Sequence, residues 1–222
     1  MRAVTAVQDL ATFRRFLALV AARHGQILNK SDLAAPLGVS VPTIGRWLDV
    51  LETTAQFLNV PPFYENLGKR LIKSPKVFIA DSGLACHLLG IDTDAELQRS
   101  PFRGALFEGM VAAEIVKAQI NAGRRRELYY FRDQQGLEVD FVVPGRAGAI
   151  LLIEAKATRT VRPEHAVPLR RLATAMTERG GVRRRVEMCV VHLPPRAGSV
   201  SSGIAPGVRA VPWPDFVTGQ SA

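Results

Sequence analysis

The sequence predicts an α/β protein with two domains: an N-terminal winged helix-turn-helix over residues 1–91 and an α/β sandwich over residues 92–222. Apolar residues recur at helical spacing from residue 9 onward, with a glycine between two predicted helices. Two apolar strands then follow one another between residues 137 and 158. Hydrophobic residues make up 47% of the 222 residues, which is enough for one large domain or two small ones with real cores.

The first domain begins with an amphipathic helix over residues 9–23, DLATFRRFLALVAAR. Ser31 is predicted to cap a short helix that runs to Leu37. Ser40 is predicted to cap a second helix, and Gly38 between the two allows the positive φ of a tight turn. This arrangement is typical of a helix-turn-helix.

The second of these helices is the predicted recognition helix. Its Ile44 and Trp47 are expected to pack inward, which leaves Thr43 and Arg46 on the face that enters the major groove in this motif. Residues 57–80 then predict a two-stranded wing whose basic residues suit phosphate contacts: Lys69, Arg70, Lys73 and Lys76. Little besides Thr43 and Arg46 could read bases, so docking of another protein stays an open alternative to DNA contact.

The second domain is predicted as helix, three strands, helix, strand, strand, after a polar segment over residues 91–104 that marks the boundary. The predicted helices are ALFEGMVAAEIVKAQI from residue 105 and residues 163–180, and the outer strands are residues 127–133, 186–193 and 208–213. The return through the second helix predicts a crossover to a parallel strand.

The two central strands, LEVDFVV and LLIEAKA, carry charges where buried strands usually have none. Alternation places Asp140 on one face of the first strand, and Glu154 and Lys156 on one face of the second. Burying these groups costs several kcal/mol unless they are paired or bind a metal. Two carboxylates and an ammonium can hold a hard divalent cation, Mg²⁺ or Mn²⁺, and position a water beside it.

Two other carboxylates lie near this pattern in the sequence. Glu108 falls in the middle of the apolar stripe formed by Val111, Ala112 and Ile115, where a carboxylate needs a partner or a function. Glu138 shares a face with Asp140, so it is predicted either as an auxiliary metal ligand or as a partner for Lys156 or Arg132.

Composition narrows the class of function. The net charge of +9 and the pI near 10.2 favour a polyanionic partner such as nucleic acid, with an Arg-rich soluble protein as the alternative. Cys86 and Cys189 form no metal-ligand spacing. We expect a soluble, cytoplasmic protein, because there is neither a signal peptide nor an apolar run of about 18 residues. Without a phosphate-binding G-x-x-x-x-G-K-[ST] motif, the chain is not expected to hydrolyse ATP by itself.

Glu108, Asp140 and the Glu154-Ala155-Lys156 run together resemble the PD-(D/E)XK nuclease superfamily. The whole chain resembles the C-terminal region of a large prokaryotic group of AAA-type ATPases, a region of uncharacterised function. Blocks that carry this resemblance, in order, are GKRLIKSPKVFIADSGLACHLLGI, GALFEGMVAAEI, YYFRDQQGLEVDFVV and LLIEAKAT. The resemblance implies a winged helix followed by a restriction-endonuclease-like domain.

The resemblance also implies roles for individual residues. Asp140 and Glu154 would be metal ligands, Glu108 would complete the metal shell directly or through a water, and Lys156 would orient the attacking water and stabilise developing charge. Relatives carry an ATPase domain before the winged helix, whereas Met1 lies here only a few residues before the first helix. We therefore expect a stand-alone version, a protein supplied with ATPase activity by a partner, or a truncated remnant.

Three functions remain open from the sequence. The chain is predicted to be a metal-dependent nuclease that a winged helix targets to DNA. The alternatives are a DNA-binding module that keeps the nuclease fold without turnover and a module that docks a separate AAA-type ATPase. The expected partner is DNA. A separate AAA-type ATPase or further copies of the chain are expected as additional partners, and no membrane partner is expected.

Overall fold

A computed structural model describes residues 9–63, 73–179, 185–195 and 203–220. The described residues form two compact units. The first comprises residues 9–60 and 74–110, and the second comprises residues 61–63, residue 73 and the residues from 111 onward. The helix over residues 103–121 contributes to both units, and the last passage of the chain from the first unit to the second lies between Met110 and Val111. The domain division at residue 91 stays a prediction.

The first unit consists of helices around a small antiparallel sheet with the strand order β1-β3-β2. In chain order its elements are α1 (Leu10–Ala21), β1 (Gln26–Ile27), α2 (Lys30–Ala34), α3 (Val41–Thr53), β2 (Phe57–Val60), β3 (Lys76–Ile79), α4 (Ser82–Leu88), α5 (Asp94–Arg99) and the first turns of α6 (Arg103–Asn121). A short 3-10 turn, Ala35–Leu37, continues α2.

The predicted pair of helices is present, and its turn chemistry is largely as expected. Gly38 adopts the left-handed conformation with φ 64°. Ser40 caps α3, because its side-chain oxygen accepts a hydrogen bond from the backbone N–H of Thr43. The predicted cap of α2 is wrong by two residues: Asn29, not Ser31, is the cap, and its Oδ1 accepts the backbone N–H of Ser31.

Ile44 and Trp47 face the core of the first unit, as predicted. The Trp47 ring packs edge-on against Phe13 and at a tilt against Phe16, with ring centroids 5.4 and 5.1 Å away. Such aromatic contacts add about 0.5–1.5 kcal/mol to the burial energy. The core therefore fixes which face of α3 remains exposed.

A buried histidine joins the β-sheet of the first unit to α6. His24 accepts the backbone N–H of Ile79 at its Nδ1, so its Nε2 carries the ring proton in the neutral form. Gly109 of α6 lies directly against this ring, and a Cβ at Gly109 would overlap Nε2 of His24. The glycine in the helix is therefore explained by close packing.

The second unit is built on a six-stranded mixed sheet with the order β4-β5-β6-β7-β9-β8. Its elements after α6 are β4 (Tyr129–Arg132), β5 (Glu138–Pro144), β6 (Ile150–Lys156), α7 (Val167–Arg179), β7 (Val186–His192), β8 (Gly203–Ala205), β9 (Val208–Pro212) and α8 (Trp213–Gln220). Strands β4, β5 and β6 are antiparallel neighbours, and β6, β7 and β9 run parallel.

Helix α7 is the predicted crossover between β6 and the parallel strand β7. A 3-10 turn, Pro163–Ala166, precedes it. Leu169 and Leu172 of α7 are fully buried in one cluster with Leu152 of β6 and Val190 of β7. Leu152 shares its strand face with Glu154 and Lys156, so α7 covers the face of the sheet that carries these charges.

The predicted fold class is confirmed, since both helices and sheets build the structure. Within the residues that the structure describes, no helix is both long and apolar enough to span a lipid bilayer.

Candidate active site

Strands β5 and β6 bring the predicted charged residues together. The two strands are antiparallel, with Phe141 opposite Ile153 and Val142 opposite Leu152. Continuing this register by one residue brings Asp140 level with Glu154, and both point to the face that α7 covers. Lys156 lies two residues beyond Glu154 on the same face. The sequence pattern and the sheet register therefore converge on one cluster.

The cluster is buried and internally paired. Counted over the whole residue, Asp140 is 8% exposed and Glu154 is 6% exposed. The Nζ of Lys156 lies 2.6 Å from Oε1 of Glu154 and 4.0 Å from Oδ2 of Asp140. The backbone N–H of Ala155 donates to the same Oδ2 of Asp140 at 2.9 Å. These contacts offset much of the several kcal/mol that burial of the two carboxylates would otherwise cost.

A cleft of about 340 Å³ opens over this cluster. Asp140, Glu154 and Lys156 line it together with six residues from the turn before β5, the start of β5 and α7: Gly136, Leu137, Glu138, Val167, Pro168 and Arg171. Gly136 takes a positive φ of 85° in the turn between β4 and β5. Since the cluster lines an open cleft, a ligand can reach it from solvent.

Glu138 lines the cleft but also has a partner in the neighbouring strand. Its Oε2 lies 3.5 Å from a guanidinium nitrogen of Arg132 on β4. Both side chains are about a third exposed or more, so this pair contributes little to stability. Arg132, one of the two partners predicted for Glu138, is thus in contact with it.

The donor set suits a magnesium ion that keeps most of its waters. Among the described residues, no group of three or more His, Cys, Asp and Glu side chains is placed to hold a metal. Asp140 and Glu154 supply two carboxylates, and Mg²⁺ commonly binds through one or two carboxylates plus water and substrate phosphate. The residues present therefore fit a hard, largely hydrated divalent cation.

Glu108 has a contact that the sequence did not reveal. It lies in the first compact unit, where its Oε1 is 2.8 Å from the Nζ of Lys76 on β3. Both side chains are largely buried. The carboxylate in the apolar stripe of α6 thus compensates a buried ammonium.

The same contact corrects the prediction for Lys76. The sequence places Lys76 among the phosphate-binding residues of an exposed wing, but it is only 4% exposed. Its strand β3 is the central strand of the three-stranded sheet, with neighbours on both sides. Lys76 is therefore not available to a phosphate on the surface.

The remaining residues predicted to bind nucleic acid lie partly within the described chain. Arg46 is exposed on α3, and its guanidinium donates to Oγ1 of Thr43, which is half-buried. Lys73 is exposed. Lys69 and Arg70 lie outside the described residues.

Sequence reasoning missed the contribution of α7 to the cleft. It treated residues 163–180 only as a crossover, and no spacing in the sequence indicates that Arg171 lines the cleft. His165, just before α7, has its pKa lowered by burial and, to a smaller extent, by the charge of Lys156. The positive charges near α7 are thus part of the cleft's electrostatic environment.

The chain is similar to two regions of unknown function. Residues 1–95 match the family model "Domain of unknown function (DUF8612)", and residues 103–194 match "Domain of unknown function (DUF4143)". The second of these is typically associated with C-terminal regions of AAA-type ATPases. This match supports the predicted resemblance of the chain to C-terminal regions of AAA-type ATPases.

Two curated proteins are similar to part of the chain. They are "Uncharacterized protein Mb2031c" of Mycobacterium bovis and "Uncharacterized protein Rv2008c" of Mycobacterium tuberculosis, each 40% identical over 133 residues. The matched segment covers 60% of this chain and 29% of each relative. The chain thus spans less than a third of the length of these relatives.

Proposed function

We propose that the second unit is a PD-(D/E)XK-type domain that cleaves phosphodiester bonds of DNA with the help of Mg²⁺ or Mn²⁺. The observation that carries this proposal is the position of Asp140, Glu154 and Lys156 together in an open cleft. Two buried carboxylates beside a half-exposed lysine in a cleft are expensive for stability and typical of active sites.

The roles of the residues follow from their contacts. Asp140 and Glu154 would hold the cation, which supplies a water of lowered pKa and neutralises charge on the phosphate. Asp140 is held in place by the Ala155 amide, so one carboxylate oxygen is oriented before any ligand binds. Lys156 can donate hydrogen bonds from its ammonium to a phosphate oxygen as negative charge develops there. Hydrolysis consumes one water, breaks one P–O bond and leaves a phosphate monoester and a hydroxyl.

The proposal assigns DNA contact to a winged helix in the first unit. Supporting it are the helix-turn-helix geometry around Gly38, the exposed Arg46 and the net charge of +9. Phosphate contacts of this kind position a duplex without reading its sequence. The proposal also includes a cytoplasmic location and a separate AAA-type ATPase as a partner.

A plasmid-nicking assay on the full chain with Mg²⁺ and Mn²⁺ tests the proposal. Asp140→Asn and Glu154→Gln each remove a metal-ligand charge with little change in shape, and we expect each to lower the nicking rate by more than about 100-fold, beyond the losses typical of supporting residues. Glu187→Gln is the matched control, because Glu187 lies on β7 of the same sheet and contacts the surface residues Arg185 and Arg209.

The proposal would be contradicted if Glu187→Gln lost as much nicking activity as the two cleft variants. It would also be contradicted if Asp140→Asn and Glu154→Gln both kept the wild-type nicking rate. Circular dichroism and the unfolding midpoint of each variant show whether a lost activity reflects a lost fold.

A second candidate function is a non-catalytic module that binds DNA or docks an ATPase. The 2.6 Å contact between Lys156 and Glu154 favours it, because this ion pair stabilises the cluster without any ligand. The burial of Lys76 removes one predicted DNA contact, which favours the docking form over the DNA-binding form. Duplex binding that weakens steeply with salt, without nicking, would support the DNA-binding form, and binding of an ATPase with a shallow salt dependence would support docking.

A further inference from the structure

The first turns of α7 form one wall of the cleft. Val167, Pro168 and Arg171 line it, and the spacing of four residues between Val167 and Arg171 places both on one side of the helix. Leu169 and Leu172 of the same helix are fully buried against the sheet. The orientation of α7 is therefore fixed by its core residues, and Arg171 is directed to the cleft as a consequence.

The charges of the cleft explain why a further cation is needed there. Asp140 and Glu154 contribute two negative charges and Lys156 one positive charge, while the charge of Glu138 is balanced by Arg132. The cleft without Arg171 therefore carries one net negative charge near the place where a phosphodiester would bind. Arg171 is exposed and takes part in none of the ion pairs found among the described residues. The guanidinium of Arg171 can neutralise the remaining negative charge of Asp140, Glu154 and Lys156 before a divalent cation binds.

The shape and chemistry of this wall suit one nucleotide unit. The volume of about 340 Å³ is at the lower end of small-molecule pockets, which span roughly 300–1,000 Å³. Val167 is 49% exposed although it is a large hydrophobic residue, and Pro168 adds apolar surface beside it. A guanidinium next to an apolar patch can bind a phosphate by paired hydrogen bonds while the patch contacts the adjoining sugar.

We infer that Arg171 is a phosphate-binding residue of the cleft, which holds the substrate phosphodiester together with Lys156 while Val167 and Pro168 contact the adjoining sugar. This inference rests on the proposed function, because it takes the ligand to be the nucleic acid substrate. It extends that function by adding a binding group from a helix outside the D-x13-E-x-K motif.

The test measures binding of a ligand with a single phosphodiester, the dinucleotide dTpdT, to the full chain. Titration in the presence of Ca²⁺ is followed through NMR shifts of the Ala155 and Lys156 amides. We expect Arg171→Ala to weaken binding by about tenfold or more, as for a lost hydrogen bond to a charged group, and Arg171→Lys to weaken it less. Arg170→Ala is the matched control, because Arg170 is the adjacent exposed arginine and lines a different cavity.

Three outcomes would overturn the inference: equal affinity of Arg171→Ala and wild type, an equal loss in Arg170→Ala, or no binding of the dinucleotide by the wild type. The nicking assay separates this inference from the proposed function. Dinucleotide binding that depends on Arg171, in a protein that cleaves nothing, would reject hydrolysis and keep the phosphate site. Nicking by Arg171→Ala with an unchanged KM would keep hydrolysis and reject the site.

Discussion

Lys156 connects the two carboxylates of the cleft, and its position shows how the cluster can exist without a ligand. Its side chain is 35% exposed, while those of Glu154 and Asp140 are 8% and 12% exposed. The ammonium therefore lies at the boundary between the buried carboxylates and solvent. A group in this position can stabilise the two carboxylates and still contact a phosphate that enters the cleft.

His24 leads to a prediction about the pH dependence of stability. The pKa of His24 is lowered from its ordinary value of 6.5 to about 4. Burial lowers this pKa, and the smaller opposing effect of the Ala105 carbonyl raises it. Between these two values the unfolded chain binds a proton that the folded chain does not. The contribution of His24 to the free energy of unfolding is therefore fully present above about pH 6.5 and is lost as the pH falls toward 4. Between pH 7.5 and pH 5 the loss amounts to about 2 kcal/mol.

Urea unfolding of wild type and His24→Gln at these two pH values measures the effect. The variant is expected to lose about 2 kcal/mol less than the wild type between pH 7.5 and 5. His87→Gln, which changes an exposed histidine of the same unit, should behave like the wild type. An identical pH dependence in His24→Gln and wild type would show that His24 does not cause it.

At the scale of elements, the ion pair between Glu108 and Lys76 joins α6 to β3. The resemblance to nucleases implies that Glu108 is a metal ligand, whereas its 2.8 Å contact with a buried lysine indicates a role in stability. Removing one partner of a buried pair typically costs about 3–5 kcal/mol, far more than loss of a surface pair. The two roles therefore predict different measurements.

We expect Glu108→Gln to lower the free energy of unfolding by about 3 kcal/mol in urea and to leave Mg²⁺ affinity unchanged. Glu114→Gln is the control on the same helix, because Glu114 contacts the exposed Lys117 and should contribute less than about 0.5 kcal/mol. Unchanged stability with weakened Mg²⁺ binding in Glu108→Gln would instead assign Glu108 to the metal shell.

Elements with strong local signals could be predicted from the sequence. The turn at Gly38, the cap at Ser40 and the alternation around Asp140 and Glu154 depend on neighbouring residues, and the structure has all of them. The helix α5 was missed in a polar segment interpreted as the domain boundary, although its capping box is readable: Thr93 and Glu96 each accept a hydrogen bond from the other's backbone N–H.

Features that depend on packing between distant segments could not be predicted. The burial of Lys76 requires β1, a strand of only two residues without a pattern of its own, to pair with β3. The contribution of Arg171 depends on which side of α7 meets the sheet, and buried leucines decide this. The alternation of residues in the charged strands predicted that Asp140, Glu154 and Lys156 lie together, but it did not predict that α7 lines the cleft beside them.

At the scale of the whole molecule, the two compact units correspond to separate parts of the proposed function. The net charge of +9 favours association with polyanions but does not identify a site. The matched regions, residues 1–95 and 103–194, are both of unknown function, so the chemistry has to be argued from the cleft. The central claim is that Asp140 and Glu154 hold a divalent cation.

Titration calorimetry of the full chain with Mg²⁺ and Mn²⁺ tests this claim most directly. We expect one site in the wild type, loss of binding in Asp140→Asn and in Glu154→Gln, and unchanged binding in Glu187→Gln, whose carboxylate lies at the surface of the same sheet. A wild-type protein that binds neither cation, or cleft variants that bind them as well as the wild type does, would contradict it.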